Sequence, residues 1–246
     1  MLKGKRVVVT GGASGIGAAI VARCVRSGAA AVHVADVDAK GLEERLSEVK
    51  GTTKLYPKSL DLTDRTALAE WLLAADEKTG GFDVVFNNAG VMSGADTLLA
   101  TPVDAMARVI DVNLMAVMIG TRIAVECMSS RGISGAIVNT ASTAAFNPMP
   151  ADPAYAASKA AVVSFTESCA PLAELHGIRV VAVCPGVTDT AIIPYEAAWL
   201  KPVLAAIDFL TPDEVVDVME EMLAQSAPPS FIRVDNRAKV DRGFDH

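Results

Sequence analysis

Positive charge is scarce in this chain of 246 residues. Lys and Arg number 22 against 29 Asp and Glu, which gives a formal net charge of -7 at pH 7. Nucleic acids are bound by clustered Lys and Arg side chains, so this balance argues against a nucleic-acid partner. It also gives no reason to expect attraction to an anionic membrane surface.

Long apolar runs are missing as well. No stretch reaches the roughly 18 apolar residues of a membrane-spanning helix. The chain passes from Met1 into a strand-like run at 7–9, which leaves no room for the apolar core of a signal peptide. We therefore expect a cytoplasmic protein that does not associate with membranes.

Metal ligands are few and scattered. The 4 cysteines show no CxxC spacing, and the 3 histidines, His33, His176 and His246, have no Cys or carboxylate at a ligand spacing. We expect buried, reduced thiols and no metal. The sequence also lacks a Gly-x-Ser-x-Gly motif, which argues against a hydrolase with a Ser–His–Asp triad.

Strand and helix patterns alternate along the chain, and hydrophobic residues make up 51% of it. Runs that are apolar on both faces, as buried parallel strands are, lie at 6–10, 31–36, 53–58, 83–87, 135–140 and 179–184, and a short strand is expected near 230–234. Helical patterns lie near 15–28, 39–49, 64–78, 102–130, 153–175 and 212–225. This order predicts an α/β fold with one doubly wound parallel sheet. Because no linker or repeat interrupts it, we expect a single domain over residues 1–246, with a substrate lid at about 187–210.

A glycine-rich loop joins the first strand to the first helix. Its glycines, Gly11, Gly15 and Gly17, have a GxxxGxG spacing. Gly11 allows the tight turn, Gly15 lets the backbone approach a pyrophosphate, and Gly17 allows close packing of helix on strand. The helix N-terminus then offers unpaired N–H groups to the phosphates. Glycine also serves turns that bind nothing, but this position between strand and helix predicts a dinucleotide site.

Asp36 ends the second strand, 19 residues beyond Gly17. An acidic residue at this offset accepts hydrogen bonds from the adenosine ribose hydroxyls. Its charge would repel the 2′-phosphate of NADP, and neither Ser14 nor Val37 offers a cation to hold that group. The alternative is a surface turn residue. We expect NAD as the cofactor.

Tyr155 and Lys159 are four residues apart, so they lie on one face of the predicted helix. A free tyrosine has a pKa of about 10, and proton exchange near neutral pH works best when this falls by roughly three units. A nearby ammonium, with the positive charge of oxidised nicotinamide, could lower it. Such a pair also arises by chance as an exposed helix pair. However, Ser142 follows the fifth strand and Asn88 the fourth, at the sheet edge where ligands bind.

Taken together, these residues resemble the short-chain dehydrogenase/reductase family. The matching elements, in the family's order, are Thr10-Gly11-xxx-Gly15-x-Gly17, Asp61-Leu62, Asn87-Asn88-Ala89-Gly90, Asn113, Ser142, Tyr155-xxx-Lys159 and Pro185-Gly186-xxx-Thr190. The resemblance implies an NAD-dependent oxidoreductase with a Rossmann fold, which transfers a hydride between nicotinamide and a secondary alcohol or ketone. It also implies a homodimer or homotetramer.

The resemblance implies a catalytic role for each of four residues. Tyr155 is the general acid/base, and Lys159 lowers the pKa of Tyr155 and binds the nicotinamide ribose. Ser142 donates a hydrogen bond to the substrate oxygen. Asn113 supports a water chain from Lys159 to solvent.

The resemblance also implies a set of cofactor-binding residues. The set is Gly11, Ser14, Gly15, Ile16, Gly17, Asp36, Asp61, Leu62, Asn88, Ala89, Gly90, Tyr155, Lys159, Pro185, Gly186, Thr188 and Thr190. Asp61 and Leu62 would border the adenine. The backbone near Val187 and Thr188 would hold the nicotinamide carboxamide.

The end of the chain departs from the commonest form of the family. Many members close with a Val-Asp-Gly-Gly strand, whereas residues 231–237 read Phe-Ile-Arg-Val-Asp-Asn-Arg. This shortened end and the run after Pro185 resemble the branch that contains 15-hydroxyprostaglandin dehydrogenase, whose members oxidise secondary alcohols with NAD.

The predicted lid is mostly apolar, which favours a hydrophobic secondary alcohol over a sugar or a charged acid. The residues expected to line the substrate pocket are Ile192, Ile193, Trp199, Leu200 and Phe209 of the lid, with Phe146 and Met149 of the loop after Ser142. Two other functions stay open. A sugar-nucleotide epimerase or dehydratase would need more residues after 190 for its substrate domain. An NAD-sensing regulatory protein without turnover usually loses the tyrosine or the lysine, and both are present here.

Overall fold

The computed structural model describes residues 1–238, and within them seven strands form one sheet. The strands are β1 (Arg6–Thr10), β2 (Ala31–Asp36), β3 (Lys54–Ser59), β4 (Val84–Asn87), β5 (Ala136–Thr140), β6 (Arg179–Pro185) and β7 (Phe231–Val234). Their order is β3-β2-β1-β4-β5-β6-β7, and every neighbouring pair is parallel. The predicted doubly wound parallel sheet is confirmed. Residues 239–246, with His246, lie outside the described part of the chain.

Helices cover both faces of the sheet. They are α1 (Gly15–Arg26), α2 (Ala39–Glu48), α3 (Arg65–Thr79), α4 (Val103–Ile110), α5 (Ala116–Ser130), α6 (Pro153–Ser168), α7 (Leu172–His176), α8 (Lys201–Ala206) and α9 (Pro212–Ala224). Along β1, Val7 and Val9 pack into the core under α1 and α9, while Val8 packs into the core under α3 and α5. Strands β1, β2, β4, β5 and β6 are almost entirely buried because helices cover both faces of the sheet. The expectation of a run buried on both faces is wrong for the edge strand β3, which is mostly exposed.

Two predicted helices are interrupted in the structure. The helix expected over 102–130 contains a π-helical turn, Asp111–Met115, between α4 and α5. The helix expected over 153–175 ends at Ser168, and Pro171 precedes the separate short helix α7. A proline lacks the N–H that would continue the ladder, which accounts for the second break. The first break places Asn113 at the centre of the π-helical turn.

The predicted lid segment begins and ends beside the sheet. Thr188 and Leu210 form a parallel bridge, so its two ends lie together. Between them the chain forms α8, which the sequence did not predict. Across residues 1–238, no helix combines the length and the apolar character needed to cross a membrane.

Candidate active site

A cleft of about 740 Å³ runs along the carboxyl ends of the central strands. Most of the predicted cofactor-binding residues line it: Gly11, Ser14, Gly15, Ile16, Asp36, Asp61, Leu62, Asn88, Ala89, Gly90, Pro185, Gly186, Thr188 and Thr190. Ser142, Tyr155 and Lys159 line the same cleft. The fold therefore brings together residues that are up to 179 positions apart, from Gly11 to Thr190. Gly17 of the predicted cofactor-binding set and Asn113 of the predicted catalytic residues are not among the residues that line the cleft.

The glycine loop is shaped so that side chains would not fit. Gly11 has φ of +73°, and a Cβ there would lie 2.8 Å from Ala89 Cα. A Cβ on Gly17 would lie 1.9 Å from the Gly11 carbonyl oxygen, and one on Gly15 would lie 2.8 Å from Thr190 Cγ2. The loop thus exposes bare backbone to the cleft, as close approach to a pyrophosphate requires.

The start of α1 also suits a bound phosphate. Ser14, the N-cap residue, makes no side-chain hydrogen bond to the helix, and the first turn holds no acidic residue. The positive end of the helix dipole therefore faces the cleft without a competing carboxylate of the same turn. These features fit the pyrophosphate of a dinucleotide.

Asp36 is fixed at the other side of this loop. Its Oδ2 accepts a hydrogen bond from the Ala13 N–H at 2.9 Å, and its Oδ1 accepts one from the Asp38 N–H at 3.0 Å. A carboxylate oxygen has more than one acceptor position, so these two bonds leave acceptor capacity toward the cleft. The geometry fits a pair of ribose hydroxyls.

Thr10 ties the glycine loop to the loop after β4, a role that the sequence did not reveal. Its Oγ1 accepts hydrogen bonds from the Asn88 N–H at 3.0 Å and the Ala89 N–H at 3.2 Å. Asn88 Nδ2 donates in return to the Thr10 carbonyl at 3.1 Å. Thr10 belongs to the glycine-loop motif that the sequence shows, but a hydroxyl at the end of a central strand does not indicate its hydrogen-bond partner.

Lys159 is buried beneath the cleft. Its Nζ donates to the Thr140 carbonyl at 2.8 Å and lies 5.7 Å from the centroid of the Tyr155 ring. Burial lowers the pKa of the Lys159 ammonium to about 8. The Lys159 ammonium is therefore held near the Tyr155 ring by a backbone carbonyl of β5.

The surroundings of Tyr155 shift its pKa. Burial raises the pKa of its phenol above the ordinary value, a hydrogen bond with Ser142 opposes this, and the Asp152 carboxylate adds to the rise. In the chain without cofactor, removal from water disfavours the phenolate more than its surroundings favour it. The expected lowering combined the Lys159 ammonium with the charge of oxidised nicotinamide, so it stays a prediction for the cofactor-bound enzyme.

The first turn of α6 is set by Asp152, which is 1% exposed and which sequence reasoning missed. Its Oδ1 accepts a hydrogen bond from the Tyr155 N–H at 3.0 Å, and its Oδ2 accepts one from the Ser93 N–H at 2.7 Å. Pro153 follows in the first helical turn, where a missing N–H does no harm. An Asp-Pro pair before a helix was a usable capping signal.

Asn113 holds the loop after β4 from the π-helical turn. Its Oδ1 accepts from the Val91 N–H at 2.8 Å, and its Nδ2 donates to the Val91 carbonyl at 2.9 Å and to Ser158 Oγ at 3.1 Å. Asn113 is fully buried. π-Helical turns are rare and occur often at functional sites, where they turn a side chain away from the regular helical position.

The part of the cleft predicted to bind substrate is lined by apolar side chains. The predicted lid segment contributes Ile192, Ile193, Trp199, Leu200 and Val203, and the loop after Ser142 contributes Met149. Two of the predicted pocket residues are elsewhere. The rings of Phe146 and Phe231 stack with 5.2 Å between their centroids, and the rings of Phe209 and Tyr195 lie 6.1 Å apart between centroids. Neither Phe146 nor Phe209 lines the cleft.

Cysteines and possible metal ligands are dispersed through the described residues. Cys24, Cys127 and Cys184 are buried, Cys169 is partly buried, and all four are free thiols. Over residues 1–238, no group of three or more His, Cys, Asp or Glu side chains could hold a metal ion.

The chain is similar over most of its length to known oxidoreductases. Residues 5–201 match the family model described as short chain dehydrogenase. An uncharacterized oxidoreductase of Thermotoga maritima is 38% identical over 85% of this chain and 80% of its own. A 3beta-hydroxysteroid dehydrogenase 2 of Eggerthella lenta is 37% identical over 78% of this chain and 74% of its own. A 1-deoxy-11-beta-hydroxypentalenate dehydrogenase of Streptomyces exfoliatus is 36% identical over 99% and 88%.

Solved structures with the same fold contain either cofactor. A short chain dehydrogenase of Burkholderia cenocepacia, in complex with NADP, has a TM-score of 0.84 at 28% identity and covers 95% of this chain and 97% of its own. A short chain dehydrogenase/reductase of Burkholderia phymatum, in complex with NAD, has a TM-score of 0.82 at 25% identity over 94% and 89%. None of these names tests whether the chain belongs to the branch that contains 15-hydroxyprostaglandin dehydrogenase. Membership of that branch therefore stays a prediction.

Proposed function

The chain belongs to the short-chain dehydrogenase family of oxidoreductases, and on that premise we propose that it interconverts a hydrophobic secondary alcohol and its ketone with NAD(H). The observation that carries the proposal is that a single cleft is lined by both the predicted cofactor-binding residues and the predicted catalytic residues. Asp36 and the glycine loop lie at one end, and Ser142, Tyr155 and Lys159 lie beside an apolar pocket at the other.

The proton in this reaction is assigned to Tyr155. A nicotinamide cofactor, when bound, accepts or supplies the hydride. In the direction of oxidation, the Tyr155 phenolate oxygen takes the hydroxyl proton of the alcohol, while the Ser142 hydroxyl holds the same substrate oxygen. Lys159, anchored on the Thr140 carbonyl, places a positive charge near the ring and favours the phenolate.

The preference for NAD is assigned to Asp36. Its carboxylate is held toward the cleft by two backbone N–H groups, and a 2′-phosphate there would meet its negative charge. Val37, the next residue, is 58% exposed and uncharged. Arg108 also lines the cleft, but its guanidinium lies 3.9 Å from the Asp61 carboxylate, which offsets its charge.

The substrate class is assigned from the apolar half of the cleft. Ile192, Ile193, Trp199 and Met149 line the same cleft as Ser142, and the charged lid residues Glu196, Lys201 and Asp208 are not among its lining residues. A pocket of this kind favours an uncharged hydrocarbon skeleton over a polyol or a phosphorylated sugar. The names of two relatives, which refer to a hydroxysteroid and a hydroxypentalenate, support this assignment.

The proposal is tested by turnover of a panel of secondary alcohols with NAD, followed by NADH absorbance. We expect the best substrates to be hydrophobic, with at least tenfold higher kcat/KM for NAD than for NADP, about 1.4 kcal/mol. A polyol or phosphorylated sugar as the best substrate would refute the substrate class. Equal use of the two cofactors would refute the role of Asp36.

The acid/base role is tested by Tyr155→Phe, which keeps the ring and removes the hydroxyl. Because general acid–base groups contribute roughly 10²–10⁴-fold to rate, we expect turnover to fall at least 100-fold while NADH still binds. Unchanged turnover in this variant would refute the assignment. NADH binding by the unmutated protein without turnover of any alcohol or ketone would favour the NAD-sensing alternative instead.

A further inference from the structure

Asn236 lies just beyond β7, in the segment where the sequence departs from the commonest family ending. Its Oδ1 accepts a hydrogen bond from the Val187 N–H at 2.7 Å. Its Nδ2 donates to the Val187 carbonyl at 2.7 Å and to the Asp208 carbonyl at 2.9 Å. One amide side chain thus engages both backbone polar groups of Val187 and joins that residue to the end of the lid.

The peptide held by Asn236 forms part of the cleft wall. Gly186, Val187 and Thr188 all line the cleft, whereas Asn236 does not. A Cβ on Gly186 would lie 2.1 Å from Asn236 Oδ1, so the amide can approach only because this residue is glycine. Asn236 therefore supports the cleft wall through the backbone of Val187 and does not itself line the cleft.

Backbone hydrogen bonds extend this support to the lid. The Leu210 N–H donates to the Val187 carbonyl at 3.0 Å, and the Asp208 N–H donates to the Arg237 carbonyl at 2.9 Å. The end of β6, the end of the lid and the segment after β7 meet at Asn236. A change at this one side chain would remove three hydrogen bonds from this junction and leave only the backbone bonds between the segments.

Asn113 makes a matching contact on the other side of the active site. It engages the N–H and the carbonyl of Val91, at 2.8 and 2.9 Å, as Asn236 engages those of Val187. Val91 follows β4 and Val187 follows β6, and β5, which leads to Ser142, lies between them in the sheet. Two asparagines therefore fix the backbone on both flanks of the proposed reaction centre.

We propose that Asn236 is a positioning residue, which holds peptide 186–188 where the nicotinamide end of the cofactor binds and couples that peptide to the lid. This inference rests on the proposed function and on the expectation, from the family resemblance, that the backbone near Val187 and Thr188 holds the nicotinamide carboxamide. Since misplacement of reacting groups by about 1 Å can cost 10²-fold in rate, loss of this support affects chemistry as well as binding.

The decisive measurement compares NADH with ADP-ribose, which lacks the nicotinamide. For Asn236→Ala we expect the Kd for NADH to rise about tenfold, whereas the Kd for ADP-ribose changes less than twofold, because the contacts of ADP-ribose lie at the glycine loop and Asp36. An equal rise in both Kd values, or no rise in either, would overturn the proposal. Fluorescence titration gives the first Kd and calorimetry the second.

Two further variants separate positioning from general damage. Asn236→Asp keeps an acceptor for the Val187 N–H but turns a carboxylate toward two carbonyls, so we expect it to bind NADH less tightly than Asn236→Ala does. Arg237→Ala removes the neighbouring exposed side chain and keeps the backbone, and we expect it to match the unmutated protein. Weakened NADH binding in Arg237→Ala, or full binding in Asn236→Asp, would contradict the inference.

Amide hydrogen exchange in the cofactor-free chain tests the support directly. In Asn236→Ala we expect the Val187 amide to exchange at least tenfold faster, with β1 unchanged. Unchanged exchange at Val187 would overturn the proposal even if the enzyme is active. If the unmutated protein binds neither NADH nor ADP-ribose, the proposed function fails, and the exchange result still decides whether Asn236 holds this peptide.

Discussion

Replacement of Asp152 by alanine should affect both the stability of the protein and the fit of its active site. The carboxylate caps α6 at the Tyr155 N–H and accepts a second bond from the Ser93 N–H. Loss of an N-cap costs about 1 kcal/mol, and an unsatisfied partly buried N–H costs about 1–3 kcal/mol. We expect Asp152→Ala to lower the free energy of unfolding by about 3 kcal/mol, which is ~6–12 °C in Tm for a chain of this size.

The matched control is the exposed cap of α3. Asp64 Oδ1 accepts a hydrogen bond from the Ala67 N–H at 2.9 Å. Within residues 1–238, the Asp64 carboxylate accepts no second hydrogen bond from a distant backbone N–H, as Asp152 does from Ser93. Asp64→Ala should therefore cost about 1 kcal/mol. Thermal denaturation of both variants measures the difference. Equal Tm values for the two would refute the argument that the second, buried contact of Asp152 matters.

The isosteric variant Asp152→Asn tests the electrostatic effect on Tyr155. The Asp152 carboxylate raises the pKa of Tyr155, so its neutralisation should lower that pKa. In the proposed alcohol oxidation the Tyr155 phenolate is the active form, so we expect activity to rise with pH through the pKa of Tyr155. The acid limb of the kcat/KM profile should therefore move to lower pH in Asp152→Asn. A limb that moves to higher pH would refute this electrostatic argument.

Three more predictions concern the cofactor end and metals. Asp36→Ala combined with Val37→Arg should narrow or reverse the preference for NAD in kcat/KM, because a repelling charge is replaced by one that can hold a 2′-phosphate; an unchanged preference would contradict it. Gly17→Ala should weaken NADH binding at least tenfold in fluorescence titration, since its Cβ would lie 1.9 Å from the Gly11 carbonyl oxygen and the loop must shift. EDTA should leave turnover intact, and loss of activity that zinc restores would show that the prediction of no metal is wrong.

The sequence predicted the sheet and the positions of its strands because both depend on local pattern. A strand covered on both faces must be apolar throughout, as at Val7, Val8 and Val9, and this pattern is visible without any knowledge of the partners. The glycine loop was predictable for the same reason, since its place between strand and helix follows from neighbouring residues. Helical spacing likewise put Tyr155 and Lys159 on one face.

The contacts that shape the candidate site could not be predicted in this way. Asp152 and Ser93 are 59 residues apart, and Asn236 and Val187 are 49 apart. A polar side chain in the sequence can cap a helix, face solvent or bind a distant backbone, and its spacing does not say which. The same holds for Lys159, whose ammonium is bound to the Thr140 carbonyl.

Chain order and periodicity by themselves therefore determined the fold and the edge of the sheet at which the cleft lies. Only the tertiary structure decided that a π-helical turn presents Asn113 to Val91, that Phe146 packs on Phe231 outside the cleft, and that burial raises the pKa of Tyr155. The physical reason is that the pattern of apolar residues along a strand or helix shows which of its faces is buried. Hydrogen-bond partners and desolvation depend instead on which distant groups packing brings within about 3 Å.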